Sequence, residues 1–301
     1  MKVTHAVIRL GGHIGRRVLG DSFPPVQRAF DRALVATTAA ARGAAMRVAP
    51  RTYFRRQEKR EDREWAARSR ALEPTKRFVA AHGLVVRGGP FAGLHYVPDA
   101  VRHKVLVPRL LGVYERQLHR VLEDLIAARP VRVVNVGAAD GYYATGMAMR
   151  LPEALVDAFE IDPWERERCR ALAEANGVAD RVVIHGACEP HDLQARVGPR
   201  TVVLCDCEGC EVDVLDLERV PELAATQLVV ELHDILRDGV TATLSRRFAA
   251  THDLRVLDLE IADPADHPEL ATLPGPERPL VLDEGRPPGI RWAVFMPRSA
   301  A

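Results

Sequence analysis

The stretch VVNVGAADGYYATGMA, Val133–Ala148, decides the fold of this chain. It begins with an apolar run that ends at Val136, passes through a turn containing Gly137 and Gly141, and becomes helical from about Tyr142. Glycine tolerates a positive φ and lets a ligand approach the backbone closely, and the free amides at a helix start attract polar groups. The stretch therefore predicts a strand, a cofactor-binding turn and a helix, although a tight turn without a ligand has the same pattern.

Seven short apolar runs alternate with other segments from Val131 onward. The first five are rich in Val, Leu and Ile, too short for buried helices and bounded by turn residues, which is typical of buried parallel strands. The last two are joined by a connection rich in Pro and Gly, which fits an antiparallel pair at a sheet edge. The runs are Val131–Val136, Ala154–Glu160, Arg181–Gly186, Thr201–Asp206, Gln227–Leu232, Asp253–Leu259 and Ile290–Met296.

The part of the chain before these runs has a different composition. Charges of both signs are interleaved over Arg51–Pro74, which indicates a solvated helix with ion pairs rather than a basic patch. Apolar residues at helical spacing predict one amphipathic helix over Leu106–Pro130, stopped by the proline. We therefore predict two domains, a mainly helical region over 1–130 and a Rossmann-like α/β domain over 131–301. The segment Gly88–Pro130 either lids the site or only completes the core.

The turn after the first strand favours one class of cofactor. A dinucleotide-binding site requires the pattern G-x-G-x-x-G, whereas this chain has G-A-A-D-G and lacks the second glycine of that pattern. Asp140 in the turn opposes a pyrophosphate and suits the cationic end of S-adenosylmethionine. The second strand ends at Glu160, near the roughly 20-residue spacing of a ribose-binding acid. The alternative for Glu160 is a solvated strand end.

Four motifs, taken in order, resemble those of class I S-adenosylmethionine-dependent methyltransferases. They are VVNVGAADGYYA, AFEIDP, IHGAC and LCDCEGCEVDVL. More narrowly, D-x-E-G-x-E at Asp206–Glu211, followed by V-E-L-H at Val230–His233, is similar to the FkbM family. The resemblance implies an α/β, Rossmann-like fold, with a mostly parallel sheet of seven strands, the last antiparallel, and helices on both faces. It implies a cofactor site in which the glycine turn lines the methionine moiety, the acid after the second strand holds the ribose, and the residues after the third strand border the adenine. This set is Asn135, Gly137, Ala138, Asp140, Gly141, Glu160, Ile161, Gly186, Ala187 and Asp206.

One position departs from the family pattern. Many members carry an acidic residue two positions before the first glycine of the turn, where this chain has Asn135. Asp140 is then a partial substitute for that acid in the contact with the ammonium group of the cofactor.

The predicted reaction end lies beyond the fourth and fifth strands, because ligands of open α/β sheets bind at the carboxyl ends of strands. The catalytic candidates there are Asp206, Glu231 and His233. Methyl transfer to a hydroxyl needs a base, and imidazole titrates near neutral pH, so His233 is the candidate base. A carboxylate acceptor would need no base, and the alternative for His233 is a structural role.

Metal sites are the second interpretation of this end of the sheet. Asp206, Glu231 and Asp234 offer oxygen ligands for Mg²⁺. Zinc at Cys205, Cys207 and Cys210 is disfavoured, because structural zinc wants four ligands and no second ligand cluster is present. With five cysteines, an odd number, we expect reduced cytoplasmic thiols.

Charge and hydropathy set expectations about partners. The net charge is +1, no apolar stretch is long enough for a membrane span or a signal peptide, and abundant Ala and Arg with scarce Lys indicate a GC-rich bacterial genome. We therefore expect a cytoplasmic protein with a small-molecule acceptor, no nucleic acid, no membrane partner and a homo-oligomer as an option. Near Trp292, Arg286 either binds an acidic acceptor or forms a surface ion pair with Glu284, and the ion pair is favoured.

The sequence as a whole predicts an S-adenosylmethionine-dependent methyltransferase that methylates an oxygen of a small molecule or natural-product intermediate. One rival is a nicotinamide-dependent oxidoreductase, which the missing glycine disfavours. The other is a non-catalytic binding module with a methyltransferase-like fold.

Overall fold

The computed structural model describes residues 70–102, 105–287 and 289–298. All of them belong to one compact unit, Glu58–Ala301. Most of the charged stretch Arg51–Pro74, and the helix predicted for it, lies outside the described residues.

Seven strands form one sheet in the order β3-β2-β1-β4-β5-β7-β6. Each begins and ends within two residues of an apolar run in the sequence, which confirms the seven predicted strands. The strands are β1 (Arg132–Val136), β2 (Leu155–Phe159), β3 (Val182–His185), β4 (Thr201–Cys205), β5 (Gln227–Leu232), β6 (His252–Leu257) and β7 (Arg291–Pro297).

The strand directions match the predicted mostly parallel sheet. β1 to β5 pair in parallel, and β7 lies between β5 and β6, antiparallel to both. Consecutive residues of one strand, such as Val133 and Val134, belong to two different apolar clusters, so both faces of the sheet are covered. The chain reverses its strand order between β1 and β4, which is where open α/β sheets bind ligands.

Nine α-helices are described, most of them short. The longest begins at Pro163, where Asp162 caps the helix by accepting a hydrogen bond from the Trp164 amide at 2.8 Å. The helices are α1 (Leu72–His82), α2 (Leu106–Leu111), α3 (His119–Ala127), α4 (Tyr142–Arg150), α5 (Pro163–Ala175), α6 (Pro190–Gln194), α7 (Glu211–Val214), α8 (Val240–Phe248) and α9 (Arg278–Leu282).

The single helix predicted over Leu106–Pro130 is wrong. The helix breaks after α2, because Gly112 (φ 74°) and Glu115 (φ 50°) adopt left-handed conformations. A Cβ atom at Gly112 would overlap the backbone of Gly88, so the break lets two loops pack against each other. α3 then ends at Ala127, before the proline.

The region before β1 shares a core with the sheet. Phe91, Leu110 and Leu122 belong to the same apolar cluster as Val133 of β1. The boundary at residue 130 therefore stays a prediction.

Candidate active site

The turn between β1 and α4 lies against the end of β4. The amides of Gly137 and Ala138 both donate to the Phe159 carbonyl oxygen at 2.9 Å, and the Asp206 amide donates to the Val136 carbonyl oxygen at 2.9 Å. Gly137 has φ 77°, and a Cβ atom there would overlap the Asp206 carbonyl group. The ends of β1, β2 and β4 thus meet at the reversal of strand order, with no room for a side chain at Gly137.

Asn135, the departure from the family pattern, is buried next to this turn. Its side chain is 2% exposed, and its Oδ1 atom has no hydrogen-bond partner among the described residues. Buried acceptors in native proteins are nearly always satisfied, so this amide oxygen calls for a donor, such as a water molecule or a ligand, that is not among the described residues. The ammonium group of a methionine moiety would be such a donor.

Asp140, the predicted substitute for the missing acid, is paired with a buried arginine. The Arg109 Nη1 atom donates to both of its carboxylate oxygens, at 3.0 and 2.9 Å, and both side chains are buried. Arg109 also lies over the rings of Tyr114 and Tyr142. The charge of Asp140 is thus compensated by Arg109, which disfavours a contact with an ammonium group, and its role as a substitute for the missing acid stays a prediction.

Glu160 is held at the end of β2 by two backbone amides. Its Oε2 atom accepts from the Ala139 amide and its Oε1 atom from the Asp162 amide, both at 2.8 Å. Burial raises the pKa of this carboxyl group, and the two amide bonds act in the opposite direction. Each oxygen keeps a lone pair, so the fixed carboxylate can accept from the two hydroxyls of a ribose.

The residues predicted to border the nucleoside base are exposed. Ile161, next to Glu160, is 56% exposed, and Gly186 and Ala187 follow β3 on the surface. A Cβ atom at Gly186 would meet nothing within 4 Å. These exposed positions leave open space near the end of β2 and β3.

His233 is the centre of an acidic cluster beyond β4 and β5. Its side chain is 1% exposed, with Nδ1 at 2.7 Å from the Glu211 Oε1 atom and Nε2 at 3.0 Å from the Glu231 Oε2 atom. Glu208 lies 3.5 Å and Asp206 3.7 Å from Nε2. The structure thus brings together Asp206, Glu231 and His233 as predicted, and adds Glu208 and Glu211.

These carboxylates change what His233 can do. Burial favours the neutral ring, but the hydrogen bonds to Glu211 and Glu231 outweigh it and raise the pKa of His233 to about 10. The ring is then an imidazolium at neutral pH and has no free lone pair for a proton. This conflicts with the prediction that His233 is the general base, because the sequence does not show how many carboxylates surround the ring.

Asp206 and Glu231 form a carboxyl pair next to the imidazolium. Burial and the charge and hydrogen bond of Glu231 raise the pKa of Asp206 well above its usual range. Two carboxyl groups in contact share a proton readily, and such a pair can accept or return one near neutral pH.

The predicted Mg²⁺ ligands do not converge. The Asp234 carboxylate accepts from the amide and the hydroxyl of Thr241 at the start of α8, away from the other two acids. Within the described ranges, the set that could hold a metal ion is Asp206, Glu208 and His233. This set suits Mg²⁺ poorly, because Mg²⁺ prefers oxygen ligands and one of the three donors is an imidazole.

The cysteines in the same loop also differ from expectation. Cys207 and Cys210 form a disulfide, whereas we expected reduced thiols, and their sulfurs are therefore not available to zinc. The three remaining cysteines, Cys169, Cys188 and Cys205, are free. The sequence spacing C-x-x-C was the available signal for this pair.

Arg286 is a buried link between distant parts of the chain and not a surface residue. It donates to Glu115 and Glu231, to Glu284 at 3.1 Å and to the Tyr114 hydroxyl at 3.1 Å. The predicted pair with Glu284 therefore exists, but it is not a surface ion pair, because Arg286 is only 10% exposed. Sequence analysis missed Glu115, since no local pattern connects it with residues more than a hundred positions away.

Comparison with known proteins gives one curated match by sequence, found in two strains. A segment of 62 residues is 39% identical to the tRNA1(Val) (adenine(37)-N6)-methyltransferase of Porphyromonas gingivalis strain ATCC BAA-308 / W83, and covers 21% of this chain and 24% of that enzyme. The enzyme of a second strain, ATCC 33277, matches over the same share. The chain thus spans about a quarter of the length of the curated relatives it matches, and no protein family model matches it. The similarity supports the predicted enzyme class, a methyltransferase.

Solved structures of methyltransferases resemble the chain at a low level. A methyltransferase from Geobacter sulfurreducens is 17% identical, with 67% of this chain and 92% of that chain covered and a TM-score of 0.42. TrmN from Thermus thermophilus is 18% identical, with 61% and 47% covered and a TM-score of 0.38. At these scores, the two similarities add nothing to the topology described above.

The prediction that excluded nucleic acid as a partner is wrong. It rested on the near-zero net charge, whereas the curated relatives are named as tRNA methyltransferases. A net charge is a sum over the whole chain and does not describe the local field at a binding surface. Separately, none of the described helices has the length and apolar character needed to cross a membrane.

Proposed function

We propose that this chain is an S-adenosylmethionine-dependent methyltransferase of class I. One observation carries the proposal: at the reversal of strand order, a side-chain-free turn at Gly137 lies beside the unpaired oxygen of Asn135 and the carboxylate of Glu160. A ligand with an ammonium group, a ribose and a flat base would satisfy these features together. The methyl donor has all three groups.

The residues present fit this cofactor at each of its ends. Asn135 would accept from the ammonium group, Glu160 would accept from the ribose hydroxyls, and Ile161 with Gly186 would border the adenine. The cofactor supplies a methyl group on a positive sulfur, which is already activated for displacement. The protein then has to orient an acceptor in line with that bond and remove its proton.

We infer that the Asp206–Glu231 pair takes the proton of a hydroxyl acceptor. Asp206 directly follows β4, with its carbonyl group against Gly137, and Glu231 lies near the end of β5. Burial and Glu231 raise the pKa of Asp206, so the pair shares one proton and its ionised member can accept another. His233 stays protonated and fixes the pair electrostatically, since its Nε2 atom lies 3.0 Å from Glu231. This role replaces the predicted base.

The finer assignment is oxygen methylation of a small molecule by an FkbM-like enzyme. The loop D-C-E-G-C-E at Asp206–Glu211 supports it, because its second and third acids both contact His233. A second candidate acceptor is an RNA base, which the similarity to a tRNA adenine methyltransferase favours.

Calorimetry with S-adenosylhomocysteine tests the cofactor proposal. We expect binding to the wild-type protein and none of NAD. Glu160→Gln should weaken binding about tenfold, because a hydrogen bond to a charged group contributes about 1.5–3 kcal/mol. Glu174→Gln is the control, since Glu174 is an exposed glutamate on α5, the helix that follows Glu160 in the chain. Absence of binding to folded wild-type protein would reject the proposal.

Transfer of a labelled methyl group tests the acceptor. Small hydroxyl compounds and total tRNA are offered in parallel with radiolabelled S-adenosylmethionine. Label in the small compounds that is lost in Asp206→Asn supports oxygen methylation. Label in the tRNA alone contradicts the small-molecule assignment and supports the second candidate.

A further inference from the structure

The loop between β4 and α7 carries a disulfide in the middle of the acidic cluster. Cys207 and Cys210 are bonded to each other. Asp206 precedes the pair, Glu208 lies inside it and Glu211 follows it, and all three carboxylates lie within 3.7 Å of His233. Any change in this bond therefore acts on the residues that surround the imidazole.

Apart from the disulfide, this loop is anchored at its two ends, since the Asp206 amide donates to the Val136 carbonyl oxygen at 2.9 Å and the Glu211 Oε1 atom lies 2.7 Å from His233 Nδ1. The Glu211 Oε1 atom accepts from the amides of Cys207 at 3.3 Å and Gly209 at 3.1 Å, and Arg237 donates to the Gly209 carbonyl oxygen at 3.3 Å. The two at 3.3 Å are long for N–H···O hydrogen bonds. Glu208 has φ 56°, a left-handed conformation that a non-glycine residue keeps only when its surroundings hold it there. The disulfide is the covalent constraint that spans Glu208.

The pair is accessible, and the other cysteines differ from it. Cys207 and Cys210 are half-buried, and the intervening Glu208 side chain is 76% exposed. Cys205 lies 3.8 Å from the Cys207 sulfur, but it is buried in β4, and burial raises the pKa of its thiol well above the usual range. Its thiolate is therefore scarce, which leaves an external thiol as the reagent that reaches the bond.

We propose that Cys207 and Cys210 form a reversible redox site that exchanges electrons with an external dithiol, and that its oxidation state sets how close Glu208 lies to His233. In the oxidised state, the short ring holds Glu208 at 3.5 Å from the imidazole. In the reduced state, the loop relaxes from the left-handed conformation and the carboxylate moves away. The effect on methyl transfer rests on the proposed function, whereas the redox chemistry does not.

The exchange needs only the dithiol. One thiolate of the reagent attacks a sulfur of the disulfide, the S–S bond breaks, and the other cysteine leaves as a thiolate. The second sulfur of the reagent then attacks the mixed disulfide and releases the second cysteine. Two electrons pass to the protein, two protons complete its thiols, and the reagent ends as a disulfide.

Counting thiols tests the redox site. Protein purified without reductant, then denatured and labelled with a maleimide, should show three reactive thiols, since five cysteines are present and two are bonded. After dithiothreitol, five should react. Cys207→Ser should show the same count in both states, whereas the control Cys188→Ser should still gain two thiols. A gain of two in Cys207→Ser, or five thiols in the unreduced wild-type protein, would overturn the proposal.

A second measurement covers the case in which Cys207→Ser does not fold. The wild-type peptide that contains Cys205–Cys210 should be lighter by two hydrogen atoms before reduction than after it. An equal mass in both states overturns the redox site. If the peptide gains two hydrogen atoms on reduction and loses them again on reoxidation, the site is reversible.

The coupling to His233 has its own readout. The imidazole NMR signal that disappears in His233→Gln should shift on reduction of the wild-type protein and of Cys188→Ser. An unchanged signal overturns the coupling. Where methyl transfer is measured, reduction should lower kcat by roughly tenfold, because a displacement of about 1 Å near a reaction centre can cost up to about 100-fold. Failure of cofactor binding would reject the proposed function alone, since the thiol count and the NMR signal need no cofactor.

Discussion

Gly137 has the most demanding position in the candidate site, because a backbone group fills the space where a side chain would be. Gly137→Ala would combine the strain of a positive φ with overlap of the Asp206 carbonyl group. We expect the free energy of unfolding to fall by about 2–4 kcal/mol, measured by urea denaturation.

The matched control for this prediction is Gly186→Ala. A Cβ atom at Gly186 meets nothing within 4 Å, so stability should change by less than about 0.5 kcal/mol. Equal losses in the two variants would mean that the contact between the ends of β1 and β4 is absent in solution.

His233 predicts a specific dependence of stability on pH. Its pKa in the folded protein, about 10, lies above its unfolded value of about 6.5. The stabilisation is therefore fully present below pH 6.5 and is lost as the pH rises towards 10. Thermal unfolding of the wild-type protein should lose more stability over this interval than that of His233→Gln. The same slope in both proteins would show that the ring is neutral.

At the scale of elements, the centre of the sheet and its β6 edge should differ in the protection of backbone amides from hydrogen exchange. β1 lies between β2 and β4 and its residues are buried, whereas β6 pairs only with β7 and exposes Leu254 and Val256. Amide hydrogen exchange followed by mass spectrometry should be slower in β1 than in β6, by at least about 100-fold. Equal protection would mean that another surface covers β6 in solution.

Elements that depend on local pattern were predictable from the sequence. Each strand has its own apolar run and turn residues, so the limits of β1 to β7 follow from the nearby chain. The break between α2 and α3 has another origin, because Gly112 adopts its conformation against Gly88. The apolar spacing continues across that break, which is why it predicted one helix.

At the scale of the whole molecule, Arg286 connects the segment before the sheet with β5 and the loop before β7. Arg286→Met would leave the buried Glu115 carboxylate without its cation and Glu231 with His233 alone. We expect a loss of about 3–5 kcal/mol in the free energy of unfolding, as for other buried ion pairs that lose one partner. Chemical denaturation measures it, and Arg298→Met, at an exposed pair with Asp253, should cost less than about 1 kcal/mol.

The loss of unfolding free energy caused by Arg286→Met should also depend on pH. Burial raises the pKa of Glu284 to about 7, so its folded form binds a proton more readily than its unfolded form. Its contribution to stability therefore falls as the pH rises from about 4.5 to 7. Removing Arg286 should enlarge that fall. The ionised Glu284 carboxylate would then lose a cation, so its pKa in the folded protein would rise further. A loss that is equal at pH 5 and pH 8 would contradict this explanation.

The sequence by itself determined the strands, the glycine turn and which acids follow which strand, because these depend on residues close together in the chain. Only the tertiary structure decided the state of the site. Arg109 neutralises Asp140, the hydrogen bonds to Glu211 and Glu231 hold a proton on His233, and Arg286 lies among acids. Burial and charge at a residue depend on every segment packed around it. Those long-range contacts change which group can accept a proton, and no local pattern records them.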